Sequence, residues 1–161
     1  MTNKEYIKAY TEYISFEKRL SQNTINNYLK DIIKLEELNN QESLKDIETD
    51  DVRKNISSLH SKGLSGKSLS RILSSWRGLY EFLIHRFNFI KNPIIGIKAP
   101  RSHIELPQIL SVDQMIRLVD IKDEDFVGIR DHAVLELFYS SGLRLSELTN
   151  LNENDINLSD E

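Results

Sequence analysis

Eight large apolar residues, Leu69, Ile72, Leu73, Trp76, Leu79, Tyr80, Leu83 and Phe87, recur at three- and four-residue spacing. At 100° per residue they share one wide helical face, and a helix with such a face must bury it against other elements. Ser65 or Ser68 can open this helix by accepting a backbone N–H at its start. The same period governs every other strongly patterned segment. Tyr6, Ile7, Tyr10, Tyr13 and Ile14 form one stripe. Ile25, Tyr28, Leu29, Ile32, Ile33 and Leu38 form a second, opened by Ser21. A third helix begins at Asp50 or Asp51, turns Val52, Ile56 and Leu59 inward and closes at Gly63. The expectation is an all-α chain whose residues 1–90 form a four-helix domain.

Between Asn88 and Gln108 the periodicity fails, and this stretch holds all three prolines, Pro93, Pro100 and Pro107. Residues 91–108 therefore read as a Pro-rich linker. Its Lys98, Arg101 and His103 suit either a phosphate backbone or a solvated connector. In the second domain, 109–161, Ser111 and Asp113 open a helix carrying Met115, Ile116, Leu118 and Val119. The acidic loop Asp123 to Phe126 leads into a longer helix from about Val127 to Tyr139. That pattern breaks at Ser140, Ser141 and Gly142, presents Arg144, and resumes with Ser146 and Glu147. One reading is a C-cap glycine followed by a new helix; the other is an arginine placed for a phosphate.

Composition excludes several classes. With 39% hydrophobic and 29% charged residues the chain reads as soluble and globular, and with no cysteine it has no disulfide, thiolate zinc site or cysteine nucleophile. No apolar run approaches the roughly 20 residues of a membrane span, nor does the start resemble a secretory signal, so a cytoplasmic location without a membrane partner is expected. His60, His85, His103 and His132 lack ligand spacing, and no glycine-rich nucleotide loop occurs, so no metal or cofactor is expected.

The net charge of −4 conceals an asymmetry: residues 1–100 carry 16 Lys/Arg against 12 Asp/Glu, whereas residues 101–161 carry 5 against 13. From Val52 to Lys98 nine basic residues face only Glu81. On the fourth helix, Lys67, Arg71, Ser74, Ser75 and Gly78 lie opposite the apolar face, with Arg77 at its flank. Such a surface suits a nucleic acid, because cations neutralise phosphates while small side chains permit close approach. A merely solvated face is the alternative, but serine and glycine are mediocre helix formers that solubility does not require.

The stretch FYSSGLRLSELTNLNENDINL resembles the arginine motif of the tyrosine site-specific recombinases through Tyr139, Gly142, Leu143, Arg144, Ser146, Glu147, Leu148, Leu151, Asp155 and Ile156. LSQNTINNYLKDI, LSGKSLSRILSSWRGLYEFL, NPIIGIKAPR and RDHAVLELFYSSGLRLSEL extend the resemblance to the Xer branch, above all its XerC-like members. The resemblance implies a four-helix, SAM-like core-binding domain and then the helical start of an α+β catalytic domain, the two clamping duplex DNA. It implies that Arg144 contacts the scissile phosphate and that Glu147 supports it. A guanidinium is always charged and can donate two parallel hydrogen bonds to phosphoryl oxygens.

In the family, attack by a tyrosine gives a covalent 3′-phosphotyrosyl intermediate without metal or ATP. The family's later lysine, His-x-x-Arg pair, further His or Trp, and nucleophilic tyrosine have no match among these residues. This chain alone is expected neither to cleave nor to rejoin DNA. The resemblance points to site-specific DNA recombination and integration, with chromosome dimer resolution at cell division as the Xer role. The implied partners are a duplex recombination site and a second Xer-type recombinase in a tetramer. Two other classes stay open: a stand-alone DNA-binding remnant that inhibits a full-length recombinase, and a helical protein-interaction domain.

Overall fold

The computed structural model describes residues 1–40, 42–101, 108–122 and 125–155. Among them every regular element is a helix. The chain divides into two compact units, Met1–Ile104 and Glu105–Glu161. No helix among the described residues is long and apolar enough to cross a membrane.

The first unit contains α1 (Asn3–Glu12), α2 (Gln22–Leu38), α3 (Thr49–Ser61) and α4 (Gly66–Phe87). Each start is fixed locally. Thr2 caps α1, and the Glu5 carboxylate accepts the Thr2 N–H at 2.8 Å. Ser21 and Ser65 accept backbone N–H groups from Thr24 and Ser68. The start of α3 lies earlier than Asp50, with Glu48 at the cap and the Asp51 carboxylate accepting the Glu48 N–H at 3.1 Å. Gly63, at φ +90°, closes α3, and Asn88 takes the left-handed conformation that ends α4.

Helix α4 is central. It packs on α1, α2 and α3, and Leu69, Ile72, Leu73, Trp76, Leu79, Tyr80, Phe82 and Leu83 are all buried. The chain leaves α1 through a π-helical turn, Tyr13–Glu17, that carries Ile14 into the core. Tyr13 stacks on Phe82 with ring centroids 4.8 Å apart, and Tyr6 meets Phe87 edge-on at 5.1 Å.

Two non-periodic segments also supply core. Leu44 and Ile47, between α2 and α3, are buried, and the Tyr80 hydroxyl donates to the Leu44 carbonyl at 2.8 Å. Asn3 pins the same loop by donating to Glu42 O and accepting from Leu44 N. After α4 the chain folds back rather than leaving as a linker. Phe89, Asn92, Pro93, Ile94 and Ile97 are buried, and Asn92 donates to the Arg77 carbonyl while accepting from Ile94 N. The expected linker over 91–108 thus loses its front half to the first unit, because three apolar residues cover what α4 would otherwise expose. His103 and Pro107 fall outside the described residues.

The second unit contains α5 (Val112–Val119), α6 (Phe126–Ser141) and α7 (Leu145–Thr149), followed by a 3-10 turn, Glu153–Asp155. Ser111 and Gln114 form a reciprocal cap, and Asp125 accepts the Gly128 N–H at 2.7 Å. Helix α6 continues beyond Tyr139. Ser140 and Ser141 belong to its last turn, their hydroxyls folded back onto the carbonyls of Glu136 and Leu137. The break begins at Gly142, at φ +63°, and α7 resumes at Leu145.

Candidate DNA-binding face and arginine turn

The residues singled out on α4 separate in the structure. Lys67, Arg71 and Ser74 are exposed and lie one turn apart on a common face. Ser75 does not join them. It is fully buried, and its hydroxyl donates to the Ile72 carbonyl at 3.0 Å. Gly78 is half-buried against α1, where a Cβ would stand 2.9 Å from the Tyr10 hydroxyl oxygen. Its missing side chain makes room for that helix–helix contact. Both departures have one cause: with α1, α2, α3 and residues 89–97 around it, α4 has a narrower free face than its apolar stripe suggests.

Arg77 is half-buried, its guanidinium 3.5 Å from the Ile97 carbonyl, at the limit of a hydrogen bond. Lys98 and Arg101 are exposed. Lys98 borders a shallow cleft of about 250 Å³ with Arg53, Ser57 and His60 of α3. Among the described residues, Lys67, Lys98 and Arg101 are exposed cations on and beside α4 for which no ion pair is seen.

Arg71 is exposed yet engaged. Its Nη1 donates to the Asp31 carboxylate on α2, whose side chain is 3% exposed while that of Arg71 is 44% exposed. Burial raises the Asp31 pKa above the ordinary carboxylate value, and Arg71, Ser75 and Lys34 oppose that rise. Trp76 Nε1 donates to the Asp31 carbonyl at 2.6 Å. Sequence reasoning passed over Asp31, although one signal was visible: an acid inside the inward stripe Tyr28, Ile32, Leu35 requires a buried partner.

The second unit carries the arginine turn. Gly142 ends α6 in the left-handed region, and two residues later Arg144 is the N-cap of α7. Glu147, at the third position of α7, accepts the Arg144 backbone N–H at 2.8 Å and Arg144 Nη1 at 2.9 Å. One carboxylate thus holds both the backbone and the head of the arginine. The backbone N–H and then the guanidinium lower the Glu147 pKa below its ordinary value. The Arg144 side chain is 81% exposed. The remaining guanidinium donors face solvent, which gives an aimed cation with capacity for an anion.

Comparison with known proteins follows the same division. Residues 7–86 match the family described as "Phage integrase, N-terminal SAM-like domain", and residues 108–161 match the "Phage integrase family". The tyrosine recombinase XerC of Pseudomonas aeruginosa strain UCBPP-PA14 is 39% identical over 149 residues, covering 90% of this chain and 49% of that protein. Tyrosine recombinase XerC 1 of Ralstonia nicotianae is 41% identical over 151 residues, covering 90% and 46%. The chain spans about half the length of the curated relatives it matches. Among solved structures, the Tn1549 transposon integrase in complex with a circular intermediate DNA matches with a TM-score of 0.68 at 18% identity, over 98% of this chain and 50% of that one. The XerA recombinase matches with a TM-score of 0.50 at 25% identity, over 97% and 53%. From the SAM-like helices to the arginine turn, the chain belongs to the phage integrase family of tyrosine recombinases and is XerC-like.

Proposed function

We propose that this protein acts in site-specific DNA recombination, with its first unit docking on duplex DNA through the outer face of α4 and with Arg144 contacting the scissile phosphate. The observation that carries the reading is the arginine turn, in which Glu147 holds an otherwise solvent-facing Arg144. Charge grows on phosphoryl oxygens during nucleophilic attack, and a donor already aimed at them stabilises the transition state by about 3 to 4 kcal/mol. Glu147 acts as the support that fixes this aim.

Docking uses different residues. Lys67, Ser74, Lys98 and Arg101 contact phosphates and sugars, Arg71 adds a held guanidinium, and Arg77 contributes from the flank. Such contacts position a protein on DNA without choosing a sequence. The partner in this reading is a duplex recombination site, shared with a second Xer-type recombinase in a tetramer, and the process is resolution of chromosome dimers at cell division. The XerC relatives support the branch, and the Tn1549 integrase, whose fold this chain shares, was solved on DNA.

The test is duplex binding by this chain across a salt series. Binding should weaken steeply with salt, by a slope of about −0.9 per phosphate contact, and should fall in a Lys67→Ala/Lys98→Ala/Arg101→Ala triple. Arg144→Ala should leave it nearly unchanged, since that residue serves chemistry. Absence of binding at low salt would reject the docking face, and loss of binding in Arg144→Ala would reject the division of labour.

A further inference from the structure

Asp31 is the one charged side chain buried among the described residues. Three residues of α4 converge on it. Arg71 donates Nη1 to its carboxylate, Trp76 donates Nε1 to its carbonyl at 2.6 Å, and Ser75 packs beside them with its hydroxyl turned to the Ile72 carbonyl. An arginine needs no such apparatus to stay in solution, and a helix pair needs no charge to pack. The arrangement does one specific thing: it removes the rotamer freedom of an arginine whose outer edge still reaches solvent.

We propose that Asp31 is a positioning residue for DNA binding, gripping one edge of the Arg71 guanidinium from inside so that its opposite edge is presented to a backbone phosphate between Lys67 and Ser74. This rests on the reading of the α4 outer face as the docking surface. The guanidinium has five N–H donors in a rigid fork, so one edge can be spent on a carboxylate while the other remains free. Lys67 stands one turn before Arg71 and Ser74 nearly one turn after it, both exposed. The acid lies behind the guanidinium, seen from solvent, and Lys34 of α2 lies close enough to act on it as well. A phosphate approaching this face meets an arginine already in place and loses less conformational entropy in ordering it.

The test exploits a sign. Removing a negative charge near a DNA-binding face should on electrostatic grounds tighten binding; loss of positioning should weaken it. Anisotropy of a labelled duplex is measured for wild type, Asp31→Asn, Arg71→Lys, Arg71→Ala and the Asp31→Asn/Arg71→Ala double, each with a thermal melt. Arg71→Ala should lose about tenfold in affinity and reduce the magnitude of the salt slope by about 1. Arg71→Lys keeps the charge without the fork and should recover only part of that loss. Asp31→Asn should weaken binding several-fold with the salt slope retained, and in the Arg71→Ala background it should add nothing. Wild-type affinity or better in a folded Asp31→Asn variant, beside a weakened Arg71→Ala, overturns the proposal and leaves the docking face standing. A wild type that binds no duplex overturns both. Should Asp31→Asn fail to fold, nitrogen-resolved NMR of the Arg71 side chain in the wild type decides. Distinct, slowly rotating N–H signals that shift when duplex is added support the grip, and averaged signals in the free protein overturn it.

Discussion

The two units are specified equally well as helices and very unequally as packed objects. In the first, Trp76, Tyr80, Ile32, Leu35, Leu69, Leu79 and Leu83 are essentially without solvent contact. In the second, Val119 is the one buried apolar side chain among the described residues, whereas Ile109, Val112, Ile116, Phe126, Ile129 and Leu145 are more than half exposed. Yet the caps of the second unit, at Ser111, Asp125 and Gly142, match Ser21, Ser65 and Asn88 of the first in kind. Capping is written within a few residues, but burial needs neighbours brought from elsewhere. Helix α6 has no single apolar face: its apolar residues lie on all sides with Arg130, Asp131, His132 and Glu136 spread among them, and α5 and α7 are its contacting helices among the described residues. Cooperative stability therefore resides in the first unit, and the arginine turn sits in the second.

Core truncation gives the largest expected effect. Trp76→Ala should lower the unfolding free energy of the main transition by about 3 to 5 kcal/mol, and Phe126→Ser or Ile129→Ser should change it by less than about 0.5 kcal/mol, measured by chemical denaturation followed by far-ultraviolet circular dichroism. A shift of similar size in the second pair would mean that the units share one cooperative core. Amide hydrogen exchange sharpens the same contrast. Amides of α4 should exchange only through global unfolding, whereas those of α6 exchange through local opening orders of magnitude faster.

A smaller effect isolates one contact of the first unit. Gly78→Ala gains about 1 kcal/mol in helix propensity but drives a methyl against the Tyr10 hydroxyl, at an overpacking cost of about 1 to 3 kcal/mol. The variant should be destabilised by roughly 1 kcal/mol. Adding Tyr10→Phe should erase that loss; if it does not, the hydroxyl is not what keeps the position bare.

The smallest effect belongs to the arginine turn. Glu147 has a lowered pKa, so its clasp is in place above the ordinary value of 4.5 and opens as pH falls through the lowered one. Carbon-detected NMR titration should show this, and Arg144→Ala should restore only part of the shift, because the backbone N–H is its larger cause. Full restoration would make the guanidinium the main partner.

Much of this was legible in the sequence. The four helices, three serine caps, the Gly142 stop and the Arg144–Glu147 spacing are local features, readable from residues at most a few positions apart. What was not legible is what distant segments cover. Leu44 and Ile47 sit in a stretch without period, and Phe89, Ile94 and Ile97 follow the helix end yet close over α4. Ser75 and Gly78 looked free because the period of α4 does not show that α2 and α1 pack beside them. Arg71 looked like a plain surface cation because its partner lies 40 residues earlier. His103 and Ile156, a possible backbone contact and the last residue of the arginine motif, lie outside the described residues.

Trp76 is the only tryptophan in the chain, and its indole N–H ends on the carbonyl of Asp31. The intrinsic fluorescence of the whole molecule is consequently a single-site signal from the seam between α2 and α4. Excited at the red edge, where tyrosine is silent, the chain reports the surroundings of that indole, one hydrogen bond from the backbone of the residue that pairs with Arg71, with no label attached and no substitution made.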